Sequence, residues 1–149
     1  MSQVSLRDAT EADVEAIFDL VRQLAEFEEM TDSFVATIDD FSSELFGPSS
    51  PASVIVAELD GAIVGMALYF WTFSTFLGRR GVWLEDLFVA PSARRRGVAS
   101  ALLAELRRRS PGRVEWEVLD WNEGAIALYD GLGGVPSTGW TKYRISPDR

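Results

Sequence analysis

Residues 84–99 read Leu84-Glu85-Asp86-Leu87-Phe88-Val89-Ala90-Pro91-Ser92-Ala93-Arg94-Arg95-Arg96-Gly97-Val98-Ala99, and this stretch decides how the rest of the chain assembles. A strand runs out, turns through Pro91, and delivers a basic, glycine-containing loop to the start of a helix. The N–H groups of a helix's first turn lack intrahelical partners and carry the positive end of its dipole. An anion site therefore exists there before any side chain is counted. Gly97 lets backbone and ligand approach closely, small Ala99 leaves room beside it, and Arg94, Arg95 and Arg96 add charge for a phosphate. The plain alternative is a solvated basic turn. It is not a Walker loop, because the Gly-Lys-Ser/Thr ending is missing. Gly131-Leu132-Gly133-Gly134 ends a helix rather than opening one, so it is no dinucleotide fingerprint.

Working outward, Val4–Arg7 reads as a short strand. Thr10-Glu11-Ala12-Asp13 is a helix start with a capping hydroxyl and early acids, and the spacing of Val14, Ile17, Phe18, Val21, Leu24 and Ala25 predicts an amphipathic helix ending near Phe27 to Met30. A shorter helix follows Thr37 and stops at Gly47-Pro48. Val54–Leu59 and Ala62–Phe73 are strand-rich, with Asp60-Gly61 as a hairpin turn, and Gly81–Val89 is a third strand of this block. Beyond the basic loop come a helix over Gly97–Arg109, a strand over Arg113–Leu119, a helix over Glu123–Leu132 and a last strand over Trp140–Ile145. The order β-α-α-β-β-β-α-β-α-β implies an α/β (α+β) domain whose mixed, mainly antiparallel sheet is flanked by helices.

Length and composition bound the function. The 149 residues, 47% hydrophobic and 25% charged, suit one globular domain over 1–149. No apolar run is long enough for a membrane span, and the N-terminus lacks a signal-peptide pattern, so a cytoplasmic protein is expected. The chain has no cysteine and no histidine. Disulfides, thiol nucleophiles, Ser-His-Asp triads and His- or Cys-ligated zinc are thereby excluded, and no metal is expected. Proton transfer falls to carboxylates, tyrosines, Lys142 or water. A net charge of −9 disfavours nucleic acid and acidic membranes as partners. The charge is unevenly spread: residues 1–60 hold 14 acids against two arginines, whereas residues 94–113 hold seven arginines against Glu105 alone. That split suits an anionic ligand at the basic segment and a cationic one elsewhere.

Arg94-x-x-Gly97-x-Ala99 after a strand ending Leu-Phe-Val resembles the acetyl-CoA pyrophosphate loop of the GCN5-related N-acetyltransferases (GNAT), whose element order is also the one above. Leu84-Glu85-Asp86, Asp120-Trp121-Asn122, Ala125, Leu128-Tyr129, Gly139-Trp140 and Phe27-Glu28 are similar to the diamine (spermidine/spermine-type) branch. The resemblance implies acetyl-CoA as co-substrate. It assigns the pantetheine arm to the backbone of Leu87, Phe88 and Val89, the pyrophosphate to the loop Arg94 to Ser100 (Arg95, Arg96, Gly97, Val98 and Ala99 within it), and further cofactor contacts to Asn122, Glu123, Gly124, Ala125 and Tyr129. The family's usual first loop glycine is Arg95 here.

The same resemblance makes Glu85 the cleft acid, which accepts the amine's proton through water or simply holds the ammonium, and places the amine among Phe27, Glu28, Glu85, Glu115, Trp116 and Glu117. Tyr129, a phenol protonated at neutral pH, is the candidate acid for the departing thiolate. On residues alone, Tyr129 also reads as a core ring with its hydroxyl at the rim, and Glu85 as a salt-bridged strand acid. Neighbours on a strand, Glu85 and Asp86 are expected on opposite faces, and Glu115 and Glu117 on one face with Trp116 on the other. Thr138 stands where the polyamine enzymes carry an acid before Gly-Trp, so a short diamine or a lysine-like amino acid such as thialysine competes with a long polyamine. The expected activity is acetyl transfer to the primary amine of a small cation (a diamine, polyamine or lysine-like amino acid) by direct attack in a ternary complex, and the resemblance implies a homodimer. A non-catalytic acyl-CoA sensor and a peptide or protein N-acetyltransferase are the alternatives.

Overall fold

Alternating apolar residues and two sharp reversals build the centre of the computed structural model, which describes residues 3–147. The outermost two residues at each end, part of the 1–149 domain expected above, lie outside the described residues. The chain divides into two compact units, Met1–Glu117 and Val118–Arg149. Among the described residues no helix is long and apolar enough to cross a membrane.

The first unit holds one five-stranded sheet in the order β1-β2-β3-β4-β5, comprising β1 (Ser5–Asp8), β2 (Ser53–Leu59), β3 (Ala62–Ser74), β4 (Arg79–Val89) and β5 (Val114–Glu115). The first four strands pair antiparallel and β5 joins β4 in parallel, which gives the mixed sheet the sequence predicts. Asp60 and Gly61 both take positive φ, 54° and 79°, the turn whose twist matches a right-handed hairpin.

Helices α1 (Val14–Phe27) and α2 (Ile38–Phe46) cover one face, and α3 (Val98–Arg109) covers the other. On the first face Ile17 and Leu20 pack with Val54, Val56, Met66 and Phe88. The opposite face buries Ile55, Ala67, Tyr69, Val82 and Leu84 with Val98, Leu102 and Leu106 of α3. Gly65 makes that second packing possible. A Cβ there would stand 3.1 Å from Val98 Cγ1 and 3.2 Å from the Phe88 carbonyl oxygen. Buried Asp13 secures the start of α1. Arg7 grips its carboxylate with both terminal nitrogens, at 2.7 and 2.9 Å, and holds it down at about pKa 2. At the other end of the core, Arg109 ties α3 to β1 and β3 by donating to Asp8 (2.7 Å) and the Tyr69 hydroxyl (3.1 Å).

β3 and β4 outrun the sheet. The pairing of β2 with β3 stops at Ser53 opposite Tyr69, while β3 and β4 stay paired out to Ser74 opposite Arg79. Trp71, Phe73, Phe76 and Leu77 are exposed on this arm.

Three expectations are corrected. The strand predicted over Arg113–Leu119 is reduced to Val114–Glu115, so alternation does not extend to Trp116 and Glu117. Its parallel partner residues are Val82 and Trp83, just short of a bulge in β4, and a bulge bends its strand away from a neighbour. The strand predicted over Trp140–Ile145 does not form. In the second unit, Trp140, Tyr143 and Ile145 are almost wholly exposed, and that extended segment pairs with no strand among the described residues. That unit consists of α4 (Glu123–Gly131) and non-helical chain. The third correction concerns the bulge itself.

Candidate active site

The pairing of β3 with β4 slips between Leu68 and Tyr69. Leu68 lies opposite Asp86 and Tyr69 opposite Leu84, which leaves Glu85 as an extra residue. Cross-strand partners share a face, so Leu84 and Leu87 lie on the α3 face with Tyr69 and Ala67, and Asp86 lies on the α1 face with Leu68. Glu85 does not point away from Asp86 as alternation requires. It accepts a hydrogen bond at 3.1 Å from the indole Nε1 of Trp83, which stands opposite Phe70 on the α1 face. The bulge thus places both acids on one side of the sheet.

Two more acids join that side. Glu115 is opposite Trp83 across the parallel pair, and Glu28 caps the C-terminus of α1. The two differ in exposure, Glu115 facing solvent and Glu28 half-buried, with its pKa raised by burial. Asp86 feels the cluster most. Burial first, then the negative charges of Glu85 and Glu28, push it up to about 7 from the ordinary 3.8. Asp86 is thus the carboxylate of this group whose pKa lies near neutral, and Glu85 beside it is exposed. Sequence reading missed this, although a signal was present: apolar-acid-acid-apolar over Leu84 to Leu87 breaks the two-residue period of a strand.

The basic loop lies at the end of β4. Pro91–Ala93 forms one 3-10 turn that buries Ala93, then Arg94 is extended and Arg95 takes a left-handed φ of 64°. Gly97, at φ 76°, caps α3 without any side-chain hydrogen bond, and the first intrahelical bond runs from Ala101 N–H to the Gly97 carbonyl. The N–H groups of Val98, Ala99 and Ser100 therefore form the helix mouth that the sequence predicts as an anion site. Arg95, Arg96 and Gly97 are exposed around it. Arg94 behaves differently: its Nε donates to the Val89 carbonyl at 3.1 Å, and its guanidinium lies 5.3 Å from the Phe27 ring centre and 5.4 Å from that of Phe88. From Glu85 to Val89, β4 has no strand paired on its outer side among the described residues. Leu87 and Val89 turn to the α3 face, opposite Ala67 and Gly65, while Phe88 is core on the α1 face.

In the second unit, Asn122 caps α4 by accepting from the Ala125 N–H at 3.2 Å. Glu123 and Gly124 are exposed in its first turn, Ala125 is half-buried, and Tyr129 is half-buried near the helix end. Tyr129's carbonyl accepts the Gly134 N–H at 2.9 Å, which closes the helix.

Comparison with known proteins adds an independent line. Residues 14–133 match the acetyltransferase (GNAT) family. The chain is 34% identical to a thialysine N-epsilon-acetyltransferase of Caenorhabditis elegans, over 97% of this chain and 93% of that protein. It is 28% identical to an L-ornithine N5-acetyltransferase of Arabidopsis thaliana, over 96% of this chain and 84% of that protein. Among solved structures, an aminoglycoside N-acetyltransferase AAC(6')-Iy in complex with CoA superposes with a TM-score of 0.75 at 21% identity, over 97% of this chain and 96% of that one. The last likeness shows a shared fold.

Proposed function

Because the chain belongs to the GNAT acetyltransferase family, we propose that it acetylates the side-chain primary amine of a small cationic amino acid, with short diamines as secondary substrates. As a family member it is an acetyl-CoA-dependent N-acetyltransferase. The finer reading rests on one observation: a half-buried carboxylate with a pKa near 7, Asp86, stands on the α1 face with Glu85, Glu28 and Glu115. Such a group receives an ammonium ion and can then take a proton from it at neutral pH.

In the proposed reaction the ammonium loses a proton to Asp86. The freed amine attacks the thioester carbonyl, the C–N bond forms, the C–S bond breaks, the coenzyme A thiolate leaves, and the nitrogen gives up its second proton to water as the amide forms. Direct transfer needs no enzyme nucleophile, which suits a chain without cysteine. Tyr129 is kept as the proton donor to the sulfur on its phenol chemistry and on the resemblance. The helix mouth of Val98 to Ser100 with Arg95 and Arg96 would take the pyrophosphate, and acetyl-CoA supplies the activated acetyl group when bound. The proposal covers one domain over 1–149 and retains a cytoplasmic homodimer from the resemblance.

Thr138 and the names of the relatives favour an amino acid over a long polyamine. The test is a panel of thialysine, lysine, ornithine, putrescine, spermidine, spermine and short peptides with acetyl-CoA, following thiol release. Fastest turnover of thialysine or ornithine supports the proposal. Turnover of peptides alone, or coenzyme A binding with no turnover of any amine, overturns it.

A further inference from the structure

The loop after β4 straddles the end of that strand. Val98, at the start of α3, packs over Gly65 and Val89 on the α3 face. Arg94 goes the other way, onto the face of Phe88, where its guanidinium is held by three fixed points: the Val89 carbonyl, the Phe88 ring and the Phe27 ring. Phe88 is a buried member of the core beneath α1, and Phe27 is the last residue of α1, immediately before Glu28. These contacts hold the charge beside Phe88 and the end of α1.

We propose that Arg94 is a positioning residue rather than a phosphate ligand: it pins the C-terminal end of α1 to β4, and so sets Glu28 against Asp86 in the amine-receiving group. This rests on the acetyltransferase reading above and goes beyond it. A planar guanidinium can stack on two aromatic rings while donating in its own plane, which a lysine ammonium cannot reproduce in full. Arg94 acts through Phe27, and Phe27 carries Glu28. The cofactor's phosphates fall to Arg95, Arg96 and the helix N–H groups.

The experiment separates the two roles. In Arg94→Ala, the KM for thialysine or ornithine should rise about tenfold, the scale of a lost stacked cation contact. Meanwhile kcat and the calorimetric Kd for coenzyme A should stay within about twofold of the parent. Arg94→Lys should recover part of the KM, and Phe27→Leu should raise it like Arg94→Ala. The double variant should be no worse than either single one, because both remove the same contact. Phe27→Leu and Arg94→Lys keep the test alive if Arg94→Ala does not fold. Weaker coenzyme A binding with an unchanged amine KM would make Arg94 the phosphate ligand that its sequence suggests, and would overturn the proposal, as would additive effects of the two substitutions. A parent that turns over no amine sinks the acetyltransferase reading itself, a failure visible before any variant is made.

Discussion

Leu84 and Leu87 lie on the same face of the sheet although they stand three residues apart on β4, opposite Tyr69 and Ala67 respectively. The two acids between them are thereby gathered onto the other face, where Glu85 raises the cost of ionising Asp86. From this one slip of register the chemistry of the site follows.

Asp86→Asn should trade activity for stability. Its folded pKa of about 7 lies above the ordinary 3.8, so Asp86 contributes no penalty below pH 4, and stability is lost as pH rises through 7. The variant should melt higher than the parent at pH 8, by on the order of 2–4 kcal/mol, and match it near pH 4. Turnover should fall roughly 10²-fold, the scale of a lost general base. Equal melting of the two proteins at pH 8 would show that Asp86 is not held out of water.

Glu85→Gln is expected to move the pH profile instead of abolishing the rate. Its negative charge helps to raise Asp86, so removing it lets Asp86 ionise earlier. In kcat/KM against pH, the rising limb near 7 should shift to lower pH with the plateau largely kept. A limb that stays in place would make the two carboxylates independent.

Arg95→Gly removes a left-handed backbone conformation from a side-chain-bearing residue, φ 64°. Thermal denaturation should show a gain of about 0.5–1 kcal/mol, the left-handed penalty less the added freedom of glycine in the unfolded chain. Coenzyme A affinity should weaken through the lost charge, and calorimetry would read that separately. A variant less stable than the parent would mean that the Arg95 side chain makes compensating contacts.

Tyr129→Phe should cut turnover roughly 10²-fold while leaving coenzyme A affinity nearly unchanged. Full turnover in this variant would remove the phenol from the reaction.

The layered fold was legible because its signals are local. Thr37 with Asp40 forms the reciprocal cap of α2, Asp60-Gly61 makes the hairpin, and Gly97 opens α3. Residues whose roles depend on a partner far away in sequence were harder. The exchange of pairing at Leu68–Tyr69 decides where Glu85 points, and Phe27 decides where Arg94 points, yet neither fact is written near the residue it governs. Trp140–Ile145 carries a strand's composition, but a strand needs a neighbour to bond with, and composition does not supply one. Asn122, expected to line the cofactor, has a second task that its sequence position also signals: its Oδ1 caps α4.

The arm formed by the outer halves of β3 and β4 has a kinetic consequence. Trp71 to Ser74 have β4 on one side and no strand on the other among the described residues, whereas Ile55 to Ala57 are sandwiched between two neighbours. In deuterated buffer the amides of the arm should exchange first and those of β2 last, so labelling would travel inward from the Phe76 tip. An exchange gradient of that kind would report local opening of the hairpin long before the enzyme as a whole unfolds.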